Sequence, residues 1–291
     1  MSAIEAIILG IIQGLTDFLP ISSTAHLTIA GKAMGLVTDE HPEAWTAFMA
    51  VVQLGTLFSM LIYFARDLWS MAKAVFKDLA TTGRGKRMSG YSRDSALVLY
   101  MIIGTLPVAF FGYEFQEFVE GSLTKSMLFI GYVMVLPALF LWLAEISPGH
   151  ERTLADVGWK DALVIGLAQV IALIPGASRA GVTITAALFM GIRQSAAARF
   201  SFLLSIPALL ASGVLELYKL SQLIVSGEEV LHYSLVSVVV ATIAAGFTGY
   251  VGIAWLLNYL VKHTTMPFVW YRIALGTTIL VLIAVGLVSP K

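Results

Sequence analysis

Side chains able to act as a nucleophile, move a proton or bind a cation crowd into one short run of this chain. The run is Gly10-Ile-Ile-Gln13-Gly-Leu-Thr-Asp17-Phe-Leu-Pro20-Ile-Ser22-Ser23-Thr24-Ala-His26. Gln13 and Asp17 are one helical turn apart and share a face. Together they offer hard oxygen donors that suit a divalent cation such as Mg2+ or Ca2+, and Asp17 alone can serve as an acid or base. The plainer alternative is that Asp17 caps a half-helix. One of Ser22, Ser23 and Thr24 is expected to cap the helix that follows Pro20, which leaves spare hydroxyls beside His26. Ser23 and His26, three positions apart, can form a nucleophile–base pair.

A second run carries complementary chemistry: Gly166-Leu-Ala-Gln169-Val-Ile-Ala-Leu-Ile-Pro175-Gly176-Ala-Ser178-Arg179-Ala-Gly181-Val-Thr183. Gln169 pairs with Gln13, Pro175 with Pro20 and Ser178 with Ser23 if one gap is allowed. Gly176 opens an irregular turn, and Ser178, Arg179 and Thr183 begin the next half-helix. The planar fork of Arg179 matches a phosphate, and a helix N-terminus adds N–H donors; otherwise Arg179 pairs with Asp17. Gln53, inside a later apolar run, is either a neighbour of this site or an interhelical bond. The combined set fits a phosphate-bearing anion. Arg179 and a cation on Asp17 and Gln13 would neutralise it, Ser23 or water would attack, and His26 would carry the proton. Ser22, Thr24, Gly176, Ser178, Thr183 and Gln53 would line the phosphates.

These groups must be positioned by apolar elements. Hydrophobic residues form 58% of the chain and charged residues 12%, half the charge of a soluble domain, and the mean hydropathy is +0.86. The composition predicts an all-α polytopic membrane protein. Apolar runs at 44–65, 95–113 and 126–145 follow the first broken segment (about 4–36). Runs at 199–218, 232–257 and 268–288 follow the second (about 160–191). If each broken segment re-enters on one side, each half crosses three times, and residues 1–148 and 149–291 form an inverted-topology repeat of six transmembrane helices and two re-entrant hairpins. Basic residues Arg66, Lys73, Lys77, Arg84, Lys86, Arg87 and Arg93 place loop 66–94 in the cytoplasm. Glu114, Glu117 and Glu120 against Lys125, and Glu228 and Glu229 against Lys219, suit the outside. Loop 146–160 is charge-balanced. Trp69, Trp142, Trp159 and Trp270 read as interfacial belt residues. The first segment lacks a basic n-region and is expected to remain in the mature protein. Zero net charge and the lack of a basic stripe argue against nucleic acid, and the absence of cysteine excludes thiolate chemistry.

The two runs, with Phe200-Ser-Phe-Leu-Leu-Ser-Ile-Pro207, resemble the signature motifs of the undecaprenyl-diphosphate phosphatase family associated with bacitracin resistance. That resemblance implies a bacterial inner-membrane hydrolase that removes the terminal phosphate of undecaprenyl diphosphate at a periplasm-facing site with a divalent cation. The product is the carrier used for peptidoglycan and other envelope polymers. It implies site roles for Gln13, Asp17, Ser22, Ser23, His26, Ser178, Arg179 and Thr183. Two positions depart from the family pattern: Asp17 stands where Glu is usual, and Ala180 where Ser is usual. The nucleophile stays open among Ser23, His26 and water. The rival reading is a secondary transporter or flippase for undecaprenyl phosphate or another phosphate-bearing anion. Expected partners are the polyprenyl diphosphate and membrane lipids. Gly246, Gly249 and Gly252 suit close packing within one chain or in a homodimer.

Overall fold

The computed structural model describes residues 1–37, 42–81, 92–114, 126–226 and 234–290. These form eleven α-helices in chain order: α1 (Ala3–Phe18), α2 (Ser23–Ala33), α3 (Pro42–Tyr63), α4 (Ala65–Thr81), α5 (Arg93–Glu114), α6 (Met127–Ile146), α7 (Trp159–Ile171), α8 (Arg179–Phe189), α9 (Gln194–Ser226), α10 (Leu235–Tyr259) and α11 (Met266–Ala284). Among the described residues six stretches are long and apolar enough to cross a bilayer: Trp45–Tyr63, Arg93–Glu114, Met127–Ile146, Gln194–Leu215, Leu235–Tyr259 and Met266–Ala284. They match the six expected runs. Helices α1, α2, α7 and α8, with 16, 11, 13 and 11 residues, fall short of the roughly 20 residues a crossing needs.

Local chemistry explains the breaks. Ser2 and Glu5 form a capping box at the start of α1. Leu19, before Pro20, is extended (φ −69°, ψ 142°), because proline disfavours helical geometry in the residue before it. Ser22 then caps α2 by accepting from the Ala25 amide at 3.4 Å, and Ser178 caps α8 by accepting from the Gly181 amide at 3.1 Å. The caps correct the gapped alignment: Ser22, not Ser23, is the counterpart of Ser178. In the register they set, Gly10, Gln13, Ser22 and Gly35 recur 156 positions later as Gly166, Gln169, Ser178 and Gly191, without a gap. Gly35 (φ 68°) and Gly191 (φ 76°) end α2 and α8 in the left-handed conformation. In each case the next amide bonds back to Gly31 or Ala187, a Schellman closure.

Packing is reciprocal. Helix α1 lies against α10 and α7 against α5, while α10 packs on α3 and α5 on α9; α3 meets α9 and α6 meets α11. Glycine makes the closest approaches possible. A Cβ on Gly104 of α5 would stand 2.6 Å from the Ala162 carbonyl oxygen of α7, and one on Gly14 would stand 2.6 Å from the Ala245 carbonyl oxygen of α10. Gly246, Gly249 and Gly252 face Gly55, Ser59 and Gly14 respectively, so their packing is used within the chain. Around Phe18, Phe200, Phe202 and Leu204 these helices bury one main apolar core.

The 66–94 loop contains a helix that its charges did not suggest. Residues 65–81 form α4, which presents Trp69, Phe76 and Leu79 outward. Asp67 accepts two hydrogen bonds from Arg199 Nη2 at 2.7 and 2.8 Å, tying α4 to α9. Asp78 accepts from Ser95 and Ser92, which hold its carboxyl below the usual carboxylate range. Arg84, Lys86, Arg87, Glu117, Glu120, Lys125, Glu228 and Glu229, on which the orientation depends, lie outside the described residues. Trp69, Trp142, Trp159 and Trp270 are all exposed, as belt residues should be. Arg152 clamps Asp161 at 2.6 Å and the Met190 carbonyl at 2.7 Å, fastening the start of α7 to the end of α8.

Arg272 of α11, which the sequence reading passed over, joins the two breaks. It is fully buried. Its Nη1 donates to the carbonyls of Pro20 (3.3 Å) and Ala177 (2.9 Å), its Nη2 to Gly176 (3.0 Å) and Val133 (3.2 Å), and its Nε to Met134 (3.0 Å). No carboxylate pairs with it among the described residues; carbonyl dipoles take the charge. Across the same junction the Gly176 amide donates to Thr24 Oγ1 at 3.1 Å.

Two outcomes are expected from thermal unfolding in detergent. Gly104→Val should lower stability by about 1–3 kcal/mol through overpacking, while Gly112→Ala, whose Cβ would meet only Leu173 at 3.7 Å, should be near neutral. Arg272→Met strips donors from five carbonyls at about 1–3 kcal/mol for each one left buried and unpaired. Arg272→Lys, with three donors and no fork, should fall between Arg272→Met and the parent.

Candidate active site

The break before α2 and the break before α8 each hold a serine in the left-handed region, Ser22 at φ 75° and Ser178 at φ 69°. They are the only non-glycine residues there among those described, and such backbone costs of order 1–3 kcal/mol. Glycine would relieve the strain but would lose the cap. Strain is therefore confined to the two points that aim the N-termini of α2 and α8.

Those points bring Asp17 and Arg179 together. Asp17 sits in the last turn of α1 with its side chain 4% exposed, and Arg179 is the first residue of α8. Asp17 Oδ1 accepts from Arg179 Nη2 at 3.0 Å and from Ser23 Oγ at 3.3 Å. Its Oδ2 accepts from Thr56 Oγ1 of α3 at 2.6 Å. A carboxylate at membrane depth needs such compensation, and here it comes from one cation and two hydroxyls.

The pair opens on a cavity of about 630 Å³. Of the residues expected at the site, Asp17, Ser22, Ser23, Thr24, Gln53, Ser178 and Arg179 line it. Gln169 joins them, while Leu57, Val108, Leu173 and Leu209 supply an apolar wall. A polar end and an oily flank in one space suit an amphiphile with a charged head.

Four expected residues stand elsewhere. Gln13 is buried one turn before Asp17, outside the lining. Thr183 turns back to donate to the Arg179 carbonyl at 2.7 Å, supporting the α8 turn from within. Gly176 spends its amide on Thr24. His26 Nδ1 lies 2.6 Å from the Ser22 carbonyl, so that nitrogen donates, and Nε2 accepts from the Tyr271 hydroxyl at 2.7 Å. The two rings stack with centroids 5.6 Å apart. Both imidazole nitrogens are thus engaged away from Ser23, whose hydroxyl turns to Asp17. Sharing a helix turn put Ser23 and His26 close in sequence, but the capping residue's own carbonyl, four positions before His26, competes for the ring.

Thr56, Gln169, Arg272 and Tyr271 were not among the expected site residues. Arg272 had a signal, an arginine inside an apolar run. Thr56 and Tyr271 had none, since a lone hydroxyl on a spanning helix is ordinary.

The donor set bears on the expected cation. No group of three or more carboxylates and imidazoles occurs among the described residues. Ca2+ wants six to eight oxygens, whereas Mg2+ is commonly held by one or two carboxylates and the substrate's phosphates. One carboxylate ringed by hydroxyls fits the second type, with Asp17 as the protein ligand.

Comparison with known proteins identifies the family. Residues 6–278 match the family described as bacitracin resistance protein BacA. A protein of Syntrophobacter fumaroxidans named undecaprenyl-diphosphatase is 48% identical over 280 residues, covering 96% of this chain and 97% of that one. Proteins of the same name from Chlorobium phaeobacteroides and Myxococcus xanthus are 47% and 44% identical, covering 98% and 100% of this chain and 99% and 92% of theirs. With a match over residues 6–278 and relatives of 44–48% identity over nearly its whole length, and with six membrane-length helices among the described residues, the chain belongs to the BacA family.

Proposed function

We propose that this protein is a multi-pass membrane hydrolase that converts undecaprenyl diphosphate to undecaprenyl phosphate and inorganic phosphate. It thereby recycles the lipid carrier for peptidoglycan and envelope polymers and confers bacitracin resistance. The observation that carries the reading is the Asp17–Arg179 pair at the mouths of α2 and α8, in a cavity with one apolar wall. The full-length similarity to proteins named undecaprenyl-diphosphatase supports the same conclusion. Nothing in transport calls for a hydroxyl held on a carboxylate beside an arginine.

In this mechanism Arg179 turns from Asp17 to the terminal phosphate, joined by amides at the N-termini of α2 and α8. Losing its cationic partner leaves Asp17 the nearest proton acceptor for Ser23, whose hydroxyl already points at it. Ser23 Oγ bonds to the terminal phosphorus and its proton passes to Asp17. The bridging P–O bond breaks, and its electron pair departs on undecaprenyl phosphate. Water then attacks the phosphoserine phosphorus, the P–Oγ bond breaks, Asp17 returns its proton to Ser23 Oγ, and the water leaves with both its protons as part of inorganic phosphate. His26 holds the Ser22 carbonyl and so the aim of the neighbouring Ser23. A divalent cation would be held through Asp17 Oδ2, leaving Oδ1 to the Ser23 proton, and would supply further charge neutralisation.

The architecture we infer is two inverted repeats, residues 1–148 and 149–291, with α1–α2 and α7–α8 as re-entrant hairpins in the bacterial inner membrane and the cavity facing the periplasm. The gapless recurrence of Gly10, Gln13, Ser22 and Gly35, and the reciprocal packing of α1 on α10 and α7 on α5, support it. A homodimer would have to use surfaces other than the α10 glycines.

Purified protein in detergent should release phosphate from undecaprenyl diphosphate, lose that activity in EDTA and regain it with Mg2+. Arg179→Ala and Asp17→Asn should each lose at least about 100-fold in kcat, and His26→Ala should be impaired. Well-folded protein that releases nothing with any divalent metal would overturn the reading. For topology, the cysteine-free chain accepts single probes. Ser122→Cys should react with an impermeant maleimide in spheroplasts, and Ser89→Cys only after lysis; the reverse pattern would invert the assignment.

A further inference from the structure

Gln169 lies near the end of α7, is 1% exposed, and lines the same cavity as Asp17, Ser23 and Arg179. Neither its Oε1 nor its Nε2 has a hydrogen-bond partner among the described residues. Leaving both ends of a buried amide unpaired is costly, and an apolar side chain of the same size would be cheaper in that place. Several polar side chains that line the same cavity are committed. Arg179, Ser23 and Thr56 serve Asp17, Ser178 caps α8, and Thr24 takes the Gly176 amide. Gln169 offers there a buried donor and a buried acceptor that are both free.

We propose that Gln169 contacts the phosphate-bearing headgroup, with Nε2 donating to a non-bridging phosphoryl oxygen and Oε1 accepting from a hydroxyl donor at the same phosphorus. This rests on the phosphatase reading above. The amide's two ends decide the ligand chemistry. A fully ionised phosphate presents acceptors only and would satisfy Nε2 while leaving Oε1 bare. The group that satisfies both ends carries an O–H, either water held against the phosphoryl group or the P–O–H of a singly protonated terminal phosphate. A cation-selective or purely apolar site would have no use for the donor end. Gln169 is held in place by the approach of Gly166 to Gly104, which fixes α7 against α5 one turn earlier.

The test compares the parent with Gln169→Met, an apolar side chain of similar length, and with Arg179→Ala. Phosphate release from undecaprenyl diphosphate in detergent is measured across pH, alongside the thermal midpoint. Gln169→Met should lose about 100-fold in kcat/KM, the scale of one positioned donor, while its thermal midpoint holds or rises because two unpaired polar atoms are gone. If the O–H belongs to the phosphate, the deficit should shrink above its last ionisation, near pH 6 for a phosphomonoester; if it belongs to water, the deficit should be constant. A kcat/KM within threefold of the parent would overturn the assignment, as would lost activity with a lowered midpoint, which marks a packing role. Inorganic pyrophosphate gives a readout independent of turnover. It should raise the parent's thermal midpoint and not that of Gln169→Met, even if the phosphatase reading fails. An equal rise in both, or none in either, would overturn the contact.

Discussion

One guanidinium and five carbonyl oxygens hold this fold to its purpose. Each polar break leaves carbonyls that no helix can satisfy, in surroundings where water is scarce and every unpaired group is expensive. Arg272 collects those of Pro20, Gly176 and Ala177 with one planar group, and anchors it on α6 through Val133 and Met134. Its charge meets the oxygen ends of dipoles rather than a carboxylate. The two breaks, 155 residues apart between Pro20 and Pro175, become neighbours by sharing a donor. Only because they are neighbours can Asp17 of one meet Arg179 of the other.

The site built on that junction divides labour by element. Helix α1 contributes the carboxylate, α2 the hydroxyls, α8 the arginine, α3 the hydroxyl of Thr56, and α7 the amide of Gln169. None of the five carries a whole chemistry. The rigid parts are the glycine-mediated contacts behind them, and the strained parts are confined to Ser22 and Ser178. Side chains at the centre are held mainly through Asp17, so any ligand that competes for Arg179 redistributes the whole set.

Much of this was legible in the chain. Six apolar runs gave six helices of crossing length because twenty oily residues in water-poor surroundings have few other options. The two breaks were visible as polar residues where none are cheap, and Asp17 facing Arg179 was the alternative that the cost of leaving either alone kept open beside a bound phosphate. Pairing Ser23 with Ser178 failed by one residue, since prolines are less reliable register marks than capping hydroxyls. His26 near Ser23 misled for a related reason: spacing places two residues on a face but does not say which neighbour wins a hydrogen bond. Thr56 and Tyr271 were hidden because their partners are distant in sequence; Arg272 stood out as an arginine inside an apolar run, but the backbone carbonyls it serves leave no trace in a residue pattern.

The close backbone contacts of α1 with α10 and of α7 with α5 have a consequence for motion. Helices that touch through glycine interdigitate too tightly to slide past one another without clashing. The two halves are also laced at their meeting point by Thr24 and Gly176. Alternating access asks two halves to rock apart around a central site. A molecule sewn together there, and closely geared on either flank, can admit a headgroup from one side and send it back altered. Both features oppose the rocking on which handing it through to the other side would depend.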